Sequence, residues 1–144
     1  MSIPVKHRKQ GVVNVLRLIR PLHYIKNLFI FMPLFFSGNI NDLDLLLTSI
    51  IGFVAFSAVA SSVYVLNDLR DEKSDRSHPL KKFRPIASGE INHKKAILIM
   101  VILLVLGAAL SFLFFIKAVS ILIAYILLNV AYSYYLKHIA IVDV

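Results

Sequence analysis

The sequence predicts an all-α protein, a polytopic bundle of transmembrane helices. Hydrophobic residues make up 58% of its 144 residues, whereas soluble domains average about 45–50%. Three long apolar segments, at residues 45–66, 96–116 and 118–136, come close to the roughly 20 residues that a helix needs to cross a bilayer core. Charged residues are concentrated between and before these segments, which is the arrangement expected of membrane-spanning helices joined by polar loops.

The balance of charge and the absence of cysteine narrow the class of protein further. A formal net charge of +8 is common in nucleic-acid-binding proteins, but it also arises from basic cytoplasmic loops of membrane proteins. The apolar segments favour the second explanation, so we expect membrane lipids and no nucleic acid as partners. The chain has no cysteine, which excludes a disulfide framework, a thiolate metal site and a cysteine nucleophile.

The N-terminal part is predicted to approach the membrane before the first crossing. Residues 1–11 form a basic tail, and residues 12–20 have the apolar periodicity of a helix lying at the membrane interface. A first, weaker span follows at about residues 22–36, opened by Lys26 and interrupted by Pro33. It is short for a crossing unless it is tilted or continues back through residues 12–20. Residues 12–144 are therefore read as one membrane domain with four spans.

The distribution of bases predicts the orientation of these spans. Eight Lys and Arg residues lie between the second and third spans, whereas the connection at residues 37–44 has none. Since loops rich in Lys and Arg remain in the cytoplasm, the N-terminus, the polar segment after the second span and the C-terminus are predicted to be cytoplasmic. The third and fourth spans meet at Lys117, which implies a tight helical hairpin. The predicted location is the cytoplasmic (inner) membrane.

The polar segment after the second span reads "LNDLRDEKSDRSHPLKKFRPIASGE". If the helix continues, Asn67, Asp71 and Asp75 are spaced by four residues and share a face, with Asp68 beside them. Hard oxygen ligands with no cysteine favour Mg²⁺, which often binds to one or two carboxylates together with substrate phosphates. The alternative is a solvated helix end, whose acids pair with the bases interspersed among them.

Basic residues elsewhere are candidate phosphate ligands. Lys81 and Arg84 follow the acidic residues, and their fixed positive charges suit a phosphate-bearing substrate; the alternative is that they only hold the loop in the cytoplasm. Lys26 and Asn27 open the first span. There, a lysine either extends to the headgroups or faces the bundle and binds an anion.

These motifs resemble the UbiA-type intramembrane prenyltransferase superfamily. The segment "NDLRDEKSD" is similar to the first Asp-rich motif of that superfamily, N-D-x-x-D-x-x-x-D, at the same place after the second helix. The stretches "RPLHYIKNLFIFMPLFFSG" and "AYSYYLKHIAIVDV" resemble the decaprenyl-phosphate phosphoribosyltransferase branch. The resemblance implies a bundle of about nine spans, in which two Asp-rich motifs hold Mg²⁺ on a diphosphate.

The resemblance also implies a reaction and a set of site residues. Phosphoribosyl diphosphate would be the donor and a polyprenyl (decaprenyl) phosphate the acceptor. The implied catalytic residues are Asp68, Asp71 and Asp75, which with Asn67 would bind Mg²⁺. The implied contacts to the donor phosphates are Lys26, Asn27, Lys81 and Arg84.

One departure from the family pattern is large. About four of the expected nine spans are present, and the second Asp-rich motif is not. The final residues, "LKHIAIVDV", look like the approach to a fifth span, so we expect either a fragment of a longer product, whose partner is the missing C-terminal half, or a degenerate copy. The alternatives to phosphoribosyl transfer are prenyl transfer to an aromatic or other acceptor, and an inactive truncated membrane protein.

Overall fold

The computed structural model describes the backbone of residues 5–116 and 119–134, and the side chains of residues 11–116, 119–132 and 134. Every regular element in these ranges is a helix, which confirms the predicted all-α class. The elements in order are α1 (Val5–Ile19), a 3₁₀ helix (Pro21–Phe31), α2 (Met32–Phe36), α3 (Leu43–Ser77), a short 3₁₀ turn (Lys81–Phe83), α4 (His93–Phe114) and α5 (Val119–Tyr134).

Helix α3 is the longest element and carries the predicted site. Asp42 caps its N-terminus: the Asp42 Oδ1 accepts hydrogen bonds from the backbone N–H groups of Asp44 (3.0 Å) and Leu45 (3.1 Å). Such a side chain satisfies N–H groups that the first helical turn leaves unpaired. The helix ends at Ser77. Its 35 residues extend for about 52 Å, well beyond a bilayer core of about 30 Å. The second apolar segment therefore continues as helix through all the acidic residues.

Among the described residues, two helices, α3 and α4, are long and apolar enough to cross a membrane. Helix α5 is apolar and shorter, with 16 residues. The junction at Lys117, where a tight hairpin is expected, lies outside the described residues. The count of four spans consequently stays a prediction.

The first apolar segment is helical but differs from the single α-helical span expected there. Eleven residues form a 3₁₀ helix and the next five form α2. Because a 3₁₀ helix rises about 2.0 Å per residue instead of about 1.5 Å, the two together extend for about 30 Å, close to the thickness of a bilayer core. Pro33 lies in the first turn of α2, where its missing N–H costs no hydrogen bond, so it does not interrupt the segment.

Polar contacts to α3 explain how the 3₁₀ helix is accommodated. The Tyr24 hydroxyl is 2.8 Å from Ser61 Oγ, and Asn27 Nδ2 donates to Ser57 Oγ at 2.9 Å. Three residues of a 3₁₀ helix and four residues of an α-helix both rise about 6 Å. Residues spaced by three on one helix can therefore meet residues spaced by four on the other.

Helices α3 and α4 pack closely at Gly107. A Cβ atom placed on Gly107 would lie 2.5 Å from Val59 Cγ2 and 2.7 Å from the Ala55 carbonyl oxygen. Both distances are shorter than ordinary van der Waals contact, and the second involves backbone. A small residue at a helix crossing permits this approach, as is typical of helix packing in membranes.

We predict that Gly107→Ala lowers the free energy of unfolding by about 1–3 kcal/mol, because the added methyl group forces α4 away from α3. The measurement is thermal unfolding of the detergent-solubilised protein. Gly11→Ala is the matched control: Gly11 also lies in a helix, a Cβ there meets no atom of the described residues within 4 Å, and the change improves helix propensity. Equal stability of the two variants would contradict the close packing.

Candidate functional site at the end of helix α3

The connection between α3 and α4, residues 78–92, folds back onto the bundle and is anchored by a small apolar core. This core consists of Leu18 of α1, Val65 of α3, Ile86 and Ile91 of the connection, and Ala96 of α4, each at most 2% exposed. The core joins four parts of the chain beside the acidic end of α3. Arg84 lies two residues before Ile86, so burial of the connection fixes the position of the arginine.

The Arg84 side chain bridges two buried carboxylates. Its Nη1 lies 3.1 Å from Asp68 Oδ1 and 2.8 Å from Asp75 Oδ2. Both aspartates are 2% exposed, and because one nitrogen contacts both, their two oxygens lie within about 6 Å of each other. Arg20 forms a further ion pair with Asp68 Oδ1. Two guanidinium groups thus balance two carboxylates; we call Asp68, Asp75, Arg20 and Arg84 the Asp–Arg cluster.

Electrostatics make this cluster dependent on its arginines. The pKa of the Asp68 carboxyl is raised above its ordinary value, mainly because the group is buried. Arg20 and Arg84 lower this pKa and offset part of the effect of burial, and the nearby charge of Asp75 adds a smaller upward effect. Asp68 lies beyond residues 45–66, which form the apolar part of α3. Because removing a carboxylate from water is costly unless it is paired, its ionised form is stabilised by the two arginines.

Two buried oxygens at the cluster, Asn67 Oδ1 and Asp68 Oδ2, have no hydrogen-bond partner among the residues that the structure describes. They belong to adjacent residues, and both are the hard oxygen type that Mg²⁺ prefers. Asp71 is half-buried on the same helix, one turn before Asp75. In the part of the chain that the structure describes, no three His, Cys, Asp or Glu side chains are grouped around a metal-sized position. The donor atoms fit a hard cation, but Arg84 lies between two of the carboxylates.

Of the four residues predicted to contact phosphate, the structure places one in the Asp–Arg cluster and three outside it. Arg84 is in the cluster, whereas the side chains of Lys26 and Lys81 lie on the surface of the protein. Asn27 is half-buried, and its amide nitrogen is bonded to Ser57. The structure therefore brings Arg84 together with Asp68 and Asp75, and it does not join Lys26, Asn27 or Lys81 to them by any ion pair among the described residues.

Arg20 is a member of the cluster that is not among the site residues predicted from the sequence. It is positioned by a break between α1 and the 3₁₀ helix, where its backbone adopts a left-handed conformation with φ 54°. The available signal was Pro21, since a residue before proline is disfavoured in the helical region. A basic residue at a helix break can direct its side chain back towards a neighbouring helix, here α3.

An amphipathic groove lies between α1 and the connection, next to the cluster, with a volume of about 530 Å³. Arg17 crosses one side, where its Nη1 pairs with Glu90 Oε2 at 2.8 Å and its Nη2 donates to the Phe83 carbonyl. The remaining walls combine both arginines of the cluster with apolar side chains. These are Val13, Leu16, Leu22, Leu80 and Phe83.

Glu72 lies one turn after Asp68 on α3 and has partners of its own. Its Oε1 pairs with Arg76 Nη2 at 2.6 Å, and its Oε2 lies 2.8 Å from His93 Nε2. The Glu72 side chain is 14% exposed, whereas those of Arg76 and His93 are 60% and 58% exposed. The alternative of acids paired with the interspersed bases thus describes Glu72, while Asp68 and Asp75 are buried around Arg84.

We predict that Arg84→Gln, measured without divalent cations, lowers the free energy of unfolding by about 3–5 kcal/mol, because it leaves Asp75 and part of Asp68 buried without a counter-charge. Chemical denaturation followed by circular dichroism gives this value. Arg76→Gln removes the mostly exposed partner of Glu72 on the same helix while His93 stays beside that glutamate, and it should cost less than about 1 kcal/mol. Equal losses in the two variants would contradict a structural role of the cluster.

Comparison with known proteins gives relatives over most of the chain. It is 34% identical to the decaprenyl-phosphate phosphoribosyltransferase of Mycobacterium tuberculosis over 137 residues, covering 92% of this chain and 45% of that protein. It is 35% identical to the uncharacterized protein y4nM of Sinorhizobium fredii over 126 residues, covering 88% and 24%. It is also 34% identical to the 4-hydroxybenzoate octaprenyltransferase of Shewanella oneidensis over 101 residues, covering 69% and 34%.

The chain therefore spans less than half the length of these relatives. Residues 28–144 match the UbiA prenyltransferase family, a range that begins in the 3₁₀ helix and includes α3 with its acidic end, the connection and Arg84. With this match over most of its length and with membrane-length helices α3 and α4, the chain belongs to the UbiA prenyltransferase family.

Proposed function

We propose that the protein containing this chain transfers a phosphoribosyl group from phosphoribosyl diphosphate to a polyprenyl phosphate, in a Mg²⁺-dependent reaction at the cytoplasmic face of the inner membrane. The chain would supply the first Asp-rich wall of the site, and a C-terminal half would complete the bundle. The chain has helices of membrane-spanning length and belongs to a transferase family. The donor, the acceptor, the metal and the membrane face are proposed.

One observation carries the choice of chemistry. Decaprenyl-phosphate phosphoribosyltransferases of Mycobacterium, Mycolicibacterium and Corynebacterium species match this chain over 92–98% of its length. These alignments cover the Asp–Arg cluster and the unpartnered oxygens of Asn67 and Asp68. The arrangement supports a site for a diphosphate leaving group, because hard oxygens suit the cation and guanidinium groups suit phosphate oxygens.

In the proposed reaction, an oxygen of the lipid phosphate attacks the anomeric carbon of the donor. The new carbon–oxygen bond forms as the bond to the diphosphate breaks, and diphosphate leaves with the bonding electron pair. A bound Mg²⁺ would neutralise the charge that develops on this leaving group. Nothing in such a substitution requires a side-chain nucleophile; the protein positions the reactants and stabilises the leaving group.

The proposed roles of individual residues follow from their chemistry. Asn67, Asp68, Asp71 and Asp75 would hold the cation, with Asp68, Asp71 and Asp75 essential for catalysis. The residues proposed to contact the donor phosphates are Lys26, Asn27, Lys81 and Arg84. The amphipathic groove beside Arg20 and Arg84 has an open side through which a lipid phosphate can approach from the bilayer surface.

A second candidate keeps the family and changes the substrates to a prenyl diphosphate and an aromatic acceptor. The match to a 4-hydroxybenzoate octaprenyltransferase favours it, although it covers 69% of this chain compared with 92% for the phosphoribosyltransferase. Both reactions expel diphosphate, so the Asp–Arg cluster does not distinguish them. A third candidate is a membrane protein without activity of its own.

We predict that membranes containing the natural gene product transfer label from phosphoribosyl diphosphate to decaprenyl phosphate, and that Asp71→Ala lowers the rate at least a hundredfold. Chromatography of the extracted lipids measures the product. Asp44→Ala, at the other end of α3, is the control and should retain activity. Labelled prenyl diphosphate with an aromatic acceptor is tested in parallel. Product only in that parallel assay selects the second candidate, and product in neither selects the third.

We predict that Asn41 and Ser88 lie on opposite sides of the membrane, since α3 separates them and both are exposed. The chain has no cysteine, so Asn41→Cys and Ser88→Cys each give one reactive thiol. In intact bacterial cells with a permeable outer membrane, a membrane-impermeant maleimide should label the first variant only. Labelling of Ser88→Cys before the inner membrane is disrupted would reverse the proposed orientation.

A further inference from the structure

We propose that Arg84 is a movable counter-ion, assisted by Arg20, that occupies the carboxylates of α3 when no cation is bound and moves to the phosphates when a cation and a diphosphate bind together. This inference rests on the proposed Mg²⁺–diphosphate site. It adds that the two ligands bind with positive coupling, and that Arg84 carries the coupling.

The first step of the argument concerns the place that Arg84 occupies. Its Nη1 lies between Asp68 Oδ1 (3.1 Å) and Asp75 Oδ2 (2.8 Å). A cation bound between these two oxygens would take this position, and a cation bound through the other oxygen of Asp68 would be repelled by the guanidinium group on the same carboxylate. The cation and Arg84 consequently compete for the same pair of acids.

The second step concerns the oxygens that the arginines leave unused. Asp68 is 2% exposed, yet within the described part of the chain its Oδ2 has no hydrogen-bond partner, and neither has the buried Oδ1 of Asn67. Buried acceptors without a partner are uncommon in proteins and costly. Two arginines balance the charge of the acids without satisfying these atoms. A cation ligated by Asp68 Oδ2 and Asn67 Oδ1 would satisfy both oxygens.

The third step concerns where Arg84 can go. Its side chain is 28% exposed, and it also lines the amphipathic groove of about 530 Å³. The backbone after it is held by the buried residues Pro85, Ile86 and Ala87, so a movement is confined to the side chain. A diphosphate beside the acids offers the guanidinium new oxygen partners of the same charge type, and the arginine can exchange a carboxylate for a phosphate without losing its ion pair.

The exchange has a thermodynamic consequence. A cation alone must displace Arg84 into solvent, and a diphosphate alone must approach two carboxylates; each is unfavourable. Together, each ligand removes the obstacle to the other, so each raises the affinity of the other by the same factor. We expect this factor to be on the order of tenfold to a hundredfold, as is common for coupled sites.

The test measures binding of Mg²⁺ and inorganic diphosphate to the detergent-solubilised natural gene product by isothermal titration calorimetry, each ligand alone and in the presence of the other. In the unsubstituted protein we expect weak binding of each ligand alone and much tighter binding of the pair. Arg84→Gln should bind Mg²⁺ alone about tenfold more tightly and diphosphate alone about tenfold more weakly, with most of the coupling lost.

A purely structural role of Arg84 predicts a different pattern, in which both ligands bind more weakly. That outcome, or Mg²⁺ affinity unchanged in Arg84→Gln, would overturn the proposal. Arg76→Gln is the control and should behave as the unsubstituted protein does. Thermal unfolding provides a second readout: Mg²⁺ alone should restore much of the stability that Arg84→Gln loses, and no recovery would count against the exchange.

Arg20→Gln keeps the test decisive if Arg84→Gln does not fold, because Asp68 then retains Arg84 as a partner. It should raise the affinity for Mg²⁺ alone in the same direction, and an unchanged or lower affinity would contradict the competition between arginine and cation. The binding measurements use inorganic diphosphate, so their outcome does not depend on which donor the enzyme uses. Coupled binding with no phosphoribosyl transfer would remove the proposed substrates and keep the counter-ion exchange; transfer with uncoupled binding would do the reverse.

Discussion

The bridge from Arg84 to Asp68 and Asp75 is the interaction on which the acidic end of α3 depends. Without it, two carboxylates that are each 2% exposed would lie close together with only Arg20 to balance them. The bridge also explains why the connection after α3 is an anchored element and not a free loop. Its position requires Ile86 and Ile91 to pack against Leu18, Val65 and Ala96, so the apolar core and the polar cluster support each other.

The helices could be predicted from the sequence because apolar length and helix capping are local properties. The continuation of α3 through the acids was a conditional prediction that the structure confirms. It was harder to predict from the sequence which of the acids share a counter-ion. Spacing by four residues drifts by about 40° per step, so Asn67 and Asp75 differ by about 80° around the helix, whereas Asp68 and Asp75, seven residues apart, differ by about 20°. The seven-residue pair shares the arginine.

Other parts of the site depend on contacts between segments distant in the sequence. Arg20 reaches Asp68 across 48 positions, and nothing in the local pattern identifies this partner. The 3₁₀ geometry of Pro21–Phe31 was not predictable for a similar reason, since its composition also suits an α-helix. The contacts of Tyr24 and Asn27 with serines of α3 favour the tighter helix, and these contacts exist only once the bundle has formed.

The 3₁₀ helix also sets the hydrophobic thickness to which the first segment is matched. Recoiling its 11 residues into an α-helix would shorten the segment by about 5–6 Å. The N-terminal arginines or the Ser37–Gly38 turn would then be drawn towards the acyl chains, or the surrounding lipid would have to thin locally, at a cost of fractions of a kcal/mol per Å. The tighter coil thus gives this segment, with 16 residues, nearly the length that the 22 residues of α4 reach as an α-helix.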